Sequence, residues 1–377
     1  MIEIEAVVAQ GTLSVVCPRD ELLHALGIVS RGVSTRTTVQ ILAGVLLEAS
    51  GGTLRLAATD MEVSLRTSLE AKVEAEGSAV VPGRLLLELA RLLPEAEVSI
   101  EHKSEEATVE IRCGSATYRL HTYNPEDFPR LPETEGIELH EVDRATLLET
   151  VARVSRSASR DESRPVLTGV LVQFAPGKLV MAATDSYRLS VKETELEGAV
   201  PELEAIVPAR ALGELARIAP EGEKIALGVH ENQVLFGTGT AWLTTRRIDG
   251  QFPNYKQLVP EAFEHEVALP REELLDVVRR VSVMAQRNSP LRLRFAEGEL
   301  TVSAQTQDVG EARESLPAQF GAEALEIGFN AEFLRDGIES VGGEQVRLNL
   351  ISPLRPAVLQ GESDNFLYLI MPIRLAG

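Results

Sequence analysis

The chain has 377 residues, a formal net charge of −20, 44 % hydrophobic residues and only 4 % aromatics. That charge excludes simple adhesion to a phosphate backbone, which attracts clustered Lys and Arg, and the few aromatics exclude a base-stacking platform for single strands. The longest uncharged run, 232–245, is 14 residues, too short to span a bilayer.

The acidic start Met-Ile-Glu-Ile-Glu has no apolar signal-peptide core. Cys17 and Cys113 form no Cys-x-x-Cys and read as small buried hydrophobes in a reducing cytosol. A cytoplasmic location without membrane association is therefore expected. Residues 1–16 alternate and read as a strand and turn, and 18–34 carry apolar residues at a helical period. Strands at 39–48, 53–58 and 61–69 precede a short helix, 83–93, stopped by Pro94. Alternating strands at 96–101, 106–112 and 115–123 complete the first unit.

The same order then returns. Helices are expected at 143–158 and 209–219, and again at 271–286 and 331–341. Strands at 166–174 and 179–183 flank the turn Ala175-Pro176-Gly177. Gly44 and Gly169 are 125 positions apart, as are the two Ala-Ala-Thr-Asp ends at Asp60 and Asp185. Pro82 to Arg91 echoes Pro208 to Arg217, and Phe128-Pro129 echoes Phe252-Pro253. A fainter third copy places Leu300 to Ala304 about 121 positions after Leu179. A repeat of this size means like domains rather than one large core. The boundaries read as 1–135, 136–260 and 261–377. Two helices and about eight antiparallel strands in each predict an α+β fold with helices on one face and sheet on the other.

Charge is distributed unevenly along this pattern. The six predicted helices together carry a formal +4 and the rest of the chain −24. Arg84, Glu88 and Arg91 share one helix face, and Arg210, Glu214 and Arg217 copy the spacing. Arg153, Arg156 and Arg160 make another stripe, as do Arg280 and Arg287. Any one stripe reads as a solvated helix face. Recurring in like positions, the stripes suit a basic surface around a duplex, with an acidic exterior repelling DNA elsewhere. Contacts from such a lining go to phosphates, which position without specifying sequence.

The threefold repeat, the paired Ala-Ala-Thr-Asp strands, Phe252-Pro253-Asn254-Tyr255, Ile327-Gly328-Phe329-Asn330 and the terminal Met371-Pro372-Ile373-Arg374-Leu375 together resemble the bacterial DNA polymerase III β subunit family, the sliding clamps. The likeness covers essentially the whole chain. It implies the DNA-clamp fold in three similar domains, closed as a head-to-tail homodimeric ring around double-stranded DNA. It implies no cofactor, no metal and no catalytic site, and a nucleoid-associated role during replication. Partners implied are the DNA polymerase III α subunit and other DNA polymerases, the clamp loader, and mismatch-repair and related proteins. These carry clamp-binding peptides, of which Gln-Leu-x-Leu-Phe is one type.

The family's peptide cleft lies between domains 2 and 3. By motif its walls are Leu167, Thr184, Tyr187, Arg188, Leu189, Pro253 and Leu258, with Asn330, Phe333, Leu354, Pro356, Leu369, Met371, Pro372, Ile373 and Arg374. Gln257 stands where arginine is frequent in relatives, and Phe333 where tyrosine is. Arg36 matches a DNA-contacting arginine. The ring interface implied joins Val281–Met284 of one copy to strands near 106–110 of another.

Catalytic readings find less support. There is no Gly-x-x-x-x-Gly-Lys-Ser/Thr, and the six histidines lack metal-ligand spacing. Asp60 and Asp185 as nuclease carboxylates compete with a simpler role as turn residues after a strand, and the third copy has Thr306 there. A metal-dependent nuclease and a protein-only scaffold remain the alternatives.

Overall fold

The computed structural model describes residues 12–34, 38–131, 136–197, 202–219, 222, 224–285, 289–306, 310–362 and 365–375. The first repeat opens with β1 (Ser14–Pro18) and α1 (Arg19–Val29). It continues with β2 (Gly44–Ser50), β3 (Thr53–Thr59), β4 (Val63–Glu70), β5 (Lys72–Ala75) and β6 (Gly77–Pro82). α2 (Gly83–Leu92) leads into β7 (Glu97–Lys103), β8 (Thr108–Cys113) and β9 (Ala116–His121).

The second repeat runs β10 (Leu139–Asp143), α3 (Arg144–Val154), the single turn α4 (Pro165–Thr168), β11 (Gly169–Ala175), β12 (Lys178–Thr184), β13 (Arg188–Glu195) and β14 (Leu203–Pro208). It ends with α5 (Ala209–Ile218), β15 (Lys224–His230), β16 (Gln233–Thr238) and β17 (Ala241–Arg246). The third comprises β18 (His265–Pro270), α6 (Arg271–Ser282), β19 (Leu291–Ala296), β20 (Glu299–Thr306), β21 (Gly310–Pro317) and β22 (Leu325–Phe329). α7 (Ala331–Ser340), β23 (Gln345–Leu350), β24 (Ala357–Gln360) and β25 (Phe366–Ile370) close it.

Local chemistry fixes the element ends. Asp143 caps α3 by accepting from the Thr146 N–H at 2.7 Å, and Asn330 caps α7 through the Phe333 N–H at 3.0 Å. Two expected strand starts are helical instead. Residues 40–43 form a 3₁₀ turn and 165–168 a single α-turn, each ending at the glycine that opens a strand. Pro165 has φ preset for that turn. The glycines are required by packing: a Cβ on Gly44 would stand 2.5 Å from Val80 Cγ1, and on Gly169 2.4 Å from Ile206 Cγ2. Strands β5 and β6 are not among the expected strands.

The strands pair into four antiparallel sheets. Two have eight strands, ordered β10-β15-β16-β17-β4-β3-β2-β6 and β14-β11-β12-β13-β25-β24-β23-β18. The others are the five-stranded β5-β1-β7-β8-β9 and the four-stranded β21-β20-β19-β22. Each eight-stranded sheet thus marries a half of one repeat to a half of the next. Packing accordingly divides the chain into unit 1, residues 1–141 and 214–247, and unit 2, residues 142–213 and 248–377. Residues 106–110 belong to a 3₁₀ turn and to β8, which lies between β7 and β9. The edges of that sheet are β5 and β9, so the strand expected near 106–110 is an internal one.

Candidate partner cleft and nucleic-acid surface

In unit 2 the chain leaves β12 through a turn built by Thr184 and Asp185. The Thr184 hydroxyl donates to the Arg188 carbonyl at 2.6 Å and accepts from the Ser186 N–H at 3.2 Å. Asp185 Oδ1 accepts from the Tyr187 and Arg188 N–H groups at 2.9 and 3.0 Å, and Ser186 takes φ = 80°. Asp60 does the same for Glu62 and Val63, with Met61 at φ = 78°. In both aspartates Oδ1 accepts from two backbone N–H groups, the chemistry of a turn. No group of three or more potential metal ligands occurs among the described residues.

The turn sends Tyr187 outward and Arg188 inward. β13 then pairs with β25 so that Arg188 faces Ile370 and Leu189 faces Leu369. The ladder continues as the Met371 N–H donates to the Tyr187 carbonyl at 2.9 Å, and the Ile373 N–H donates to the Gly328 carbonyl at 2.8 Å. Tyr187 stacks on Phe333, with ring centroids 6.5 Å apart, and the Arg188 guanidinium lies 4.3 Å from the Phe333 centroid. Pro356 immediately precedes Ala357, which pairs with Ile370, so the turn carrying Leu354 abuts the same ladder end.

Arg188 is a buried hub. It donates to Asp185 Oδ2 at 3.1 Å, to Asp336 Oδ2 at 2.6 Å and to the Arg156 carbonyl at 2.6 Å. Burial works against its charge, but Tyr368, Asp336 and Asp185 outweigh that and hold its pKa above the ordinary arginine value. Burial raises the Tyr368 hydroxyl, which donates to the Phe333 carbonyl at 2.7 Å. Asp336 and Tyr368 are absent from the expected set. Asp336 sits three residues after Phe333 on α7, a spacing that puts both on neighbouring faces, but nothing local marks its partner.

The expected wall residues fall into two layers. Tyr187, Leu258, Leu354 and Met371 are four of the five large hydrophobics exposed among the described residues of unit 2. Pro253 and Arg374 are also exposed, while Leu167, Asn330, Phe333, Pro356, Pro372 and Ile373 are half-buried. Thr184, Arg188, Leu189 and Leu369 are buried, Leu189 at 1 % exposure. Leu189 and Leu369 form a core cluster with Leu171, Ala182, Tyr255 and Val358, against which Phe252 and Val259 of the connector pack. They hold the exposed layer up rather than offering surface themselves. A separate cavity of about 770 Å³, lined by Val180, Val191, Glu193, Tyr255, Lys256 and Leu367 among others, contains none of the expected wall residues.

The basic stripes are tethered. In unit 2, Arg153 pairs with Glu149 at 2.9 Å, Arg156 with Glu339 at 2.7 Å and Arg280 with Glu314 at 2.8 Å. In unit 1, Glu214 accepts from Arg217 at 2.6 Å and Arg31 at 3.2 Å, and Arg84 lies 3.9 Å from Glu88. Arg91, Arg160 and Arg210 are exposed. Arg36 and Arg287 lie outside the described residues. The Arg84–Glu88 pair is exposed on both sides, and exposed pairs are worth about 0–1 kcal/mol.

Three family profiles match the chain in succession. They are the N-terminal, central and C-terminal domains of the DNA polymerase III beta subunit, over residues 13–132, 141–254 and 256–374. The beta sliding clamp of Synechococcus elongatus is 36 % identical over 375 residues, covering 96 % of this chain and 100 % of the relative. That of Streptomyces coelicolor is 35 % identical over 376 residues, covering 95 % and 98 %. A crystal structure of the C. crescentus beta sliding clamp superposes with a TM-score of 0.91 at 29 % identity, covering 97 % of this chain and all of that one. An antiparallel repeat fold with tethered basic helices and an apolar rim thus defines a DNA sliding clamp.

The chain belongs to the bacterial DNA polymerase III beta subunit family, the beta sliding clamps. That family implies a DNA-encircling dimer working with DNA polymerases, a processivity factor rather than a catalyst. No helix among the described residues is long and apolar enough to cross a membrane.

Proposed function

We propose that this chain closes as a head-to-tail homodimeric ring on duplex DNA and tethers polymerases through the apolar rim around Tyr187 and Met371. The observation carrying the ring is a mismatch of edges. Two repeat junctions are zipped within the chain, β4 to β17 and β13 to β25. The equivalent strands β21 and β9 both lie at sheet edges. Leu65 faces Leu243 in one junction and Ser190 faces Tyr368 in the other. The repeat makes Ala312 and Tyr118 the third such pair, Ala312 facing the partner's Tyr118. Leu243 and Tyr368 are fully buried, whereas Tyr118 is 36 % exposed. A second copy would cover it.

Three repeats per chain divide as 1–135, 136–260 and 261–377. The duplex-facing residues are Arg36, Arg84, Arg91, Arg153, Arg156, Arg160, Arg210, Arg217, Arg280 and Arg287. The peptide site comprises Tyr187, Pro253, Leu258, Phe333, Leu354, Met371 and the other wall residues, on the buried Leu189–Leu369 floor. Besides polymerases, its occupants are the clamp loader and mismatch-repair proteins, in a cytoplasmic, nucleoid-associated setting.

The register gives the test. Facing antiparallel residues have Cα atoms about 4.5–5.5 Å apart, within the span a disulfide bridges. The double variant Tyr118→Cys, Ala312→Cys should oxidise to a covalent dimer of twice 41 kDa. Tyr118→Cys with Arg313→Cys should not, because a one-residue slip reverses the face. Equal crosslinking by both pairs, or by neither, would refute the pairing.

A further inference from the structure

The turn that presents Tyr187 has a copy in unit 1 whose surroundings differ in kind. The Asp60 turn sets Glu62, Val63 and Ser64 where Tyr187, Arg188 and Leu189 stand in unit 2. β4 and β17 pair in the same register as β13 and β25, so Thr244 takes the place of Leu369 and Arg246 that of Met371. Even the backbone bond is copied, since the Arg246 N–H donates to the Glu62 carbonyl at 3.3 Å. Pro129 repeats Pro253 in the connector. The copied position is a cavity of about 180 Å³.

At the positions copied from Tyr187, Leu189, Leu369 and Met371 the lining is polar, while Met61, Pro129 and Leu131 also line it. Ser64, Thr244, Glu62, Arg130 and Arg246 all face it. Both arginines are exposed, and neither has a carboxylate partner among the described residues, unlike the tethered arginines of the helices. Gln233 also lines the cavity, and its buried Oε1 has no hydrogen-bond partner. A buried acceptor left without a donor is costly. Two guanidiniums against one carboxylate leave a single net positive charge, which suits a monoanion. A ligand satisfying both demands brings one carboxylate and an N–H donor.

We propose that this cavity docks an extended acidic peptide segment of a partner protein. One Asp or Glu side chain lies between Arg130 and Arg246, and a backbone N–H is donated to Gln233 Oε1. The site is independent of whether the apolar rim takes peptides.

Methyl-¹³C methionine labelling of the full-length protein supplies a reporter for each place: Met61 lines the cavity, and Met371 belongs to the apolar rim. Titration with Ac-Ser-Ala-Asp-Ala-Ser-NH₂ should move Met61 saturably and leave Met371 in place. The Asn analogue, or either Arg130→Ala or Arg246→Ala, should weaken the effect roughly tenfold or more at unchanged melting temperature. A silent Met61 at millimolar peptide would overturn the proposal. So would an equal response to inorganic phosphate, or a shift of Met371 ahead of Met61.

Discussion

Truncating Leu189 and truncating Met371 should do opposite things, although both are apolar residues assigned to one site. Leu189 is 1 % exposed and faces Leu369 across the ladder within a cluster that includes Tyr255. Leu189→Ala leaves a cavity there and should cost about 2–5 kcal/mol. For a packing unit of this size that lowers the melting temperature by roughly 4–20 °C. Met371 is 41 % exposed, so Met371→Ala should cost about 1 kcal/mol or less in stability. As a central anchor for a partner's leucine or phenylalanine, its loss should weaken a Gln-Leu-x-Leu-Phe peptide by at least ~2 kcal/mol, roughly thirtyfold. Thermal melts beside a fluorescence-anisotropy titration read both quantities. Wild-type peptide affinity in Met371→Ala would refute the apolar rim as the docking surface. A fully stable Leu189→Ala would refute the two-layer reading.

Arg188→Met removes a cation from between Asp185 and Asp336, leaving two largely buried carboxylates unpaired. The expected loss is about 3–5 kcal/mol in urea unfolding, partly recovered by adding Asp336→Asn; a loss below about 1 kcal/mol would contradict the hub. Glu110 is hydrogen-bonded by Arg119, Lys103 and Arg112, which hold its pKa down at about 2 from an ordinary 4.5. A depressed carboxylate stabilises the fold above its unfolded value, so this contribution should fade as pH falls from 4.5 towards about 2. The urea midpoint of Glu110→Gln should lack that part of the acid slope; an identical slope would exclude Glu110 as its source.

The repeat was legible because packing imposes the same residues at the same places. Gly44 and Gly169 tolerate no Cβ, and Asp60 and Asp185 close identical turns. The same glycines explain two misread strand starts, since the apolar residues before them look like strand but coil into a turn. The Arg188 hub was hidden for a different reason. Its partners Asp336 and Tyr368 lie 148 and 180 positions away, and no local pattern links them. Nor does apolarity alone separate the buried Leu189 from the exposed Met371, because Leu189 lies at the start of β13 and Met371 just past the end of β25. Charge pairing was partly visible as Arg–Glu spacing on the helices, yet Arg156–Glu339 and Arg280–Glu314 join different elements.

Encirclement itself is tested most directly by loading the protein onto nicked circular DNA and raising the salt. Phosphate contacts alone, if 6–10 were made, would lose roughly 10³–10⁵ in affinity between 50 and 200 mM salt. A ring linked topologically to the circle should stay bound through that range and leave when a restriction enzyme linearises the DNA. Equal retention on linear and circular DNA, or release from the intact circle along the ordinary salt slope, would contradict it.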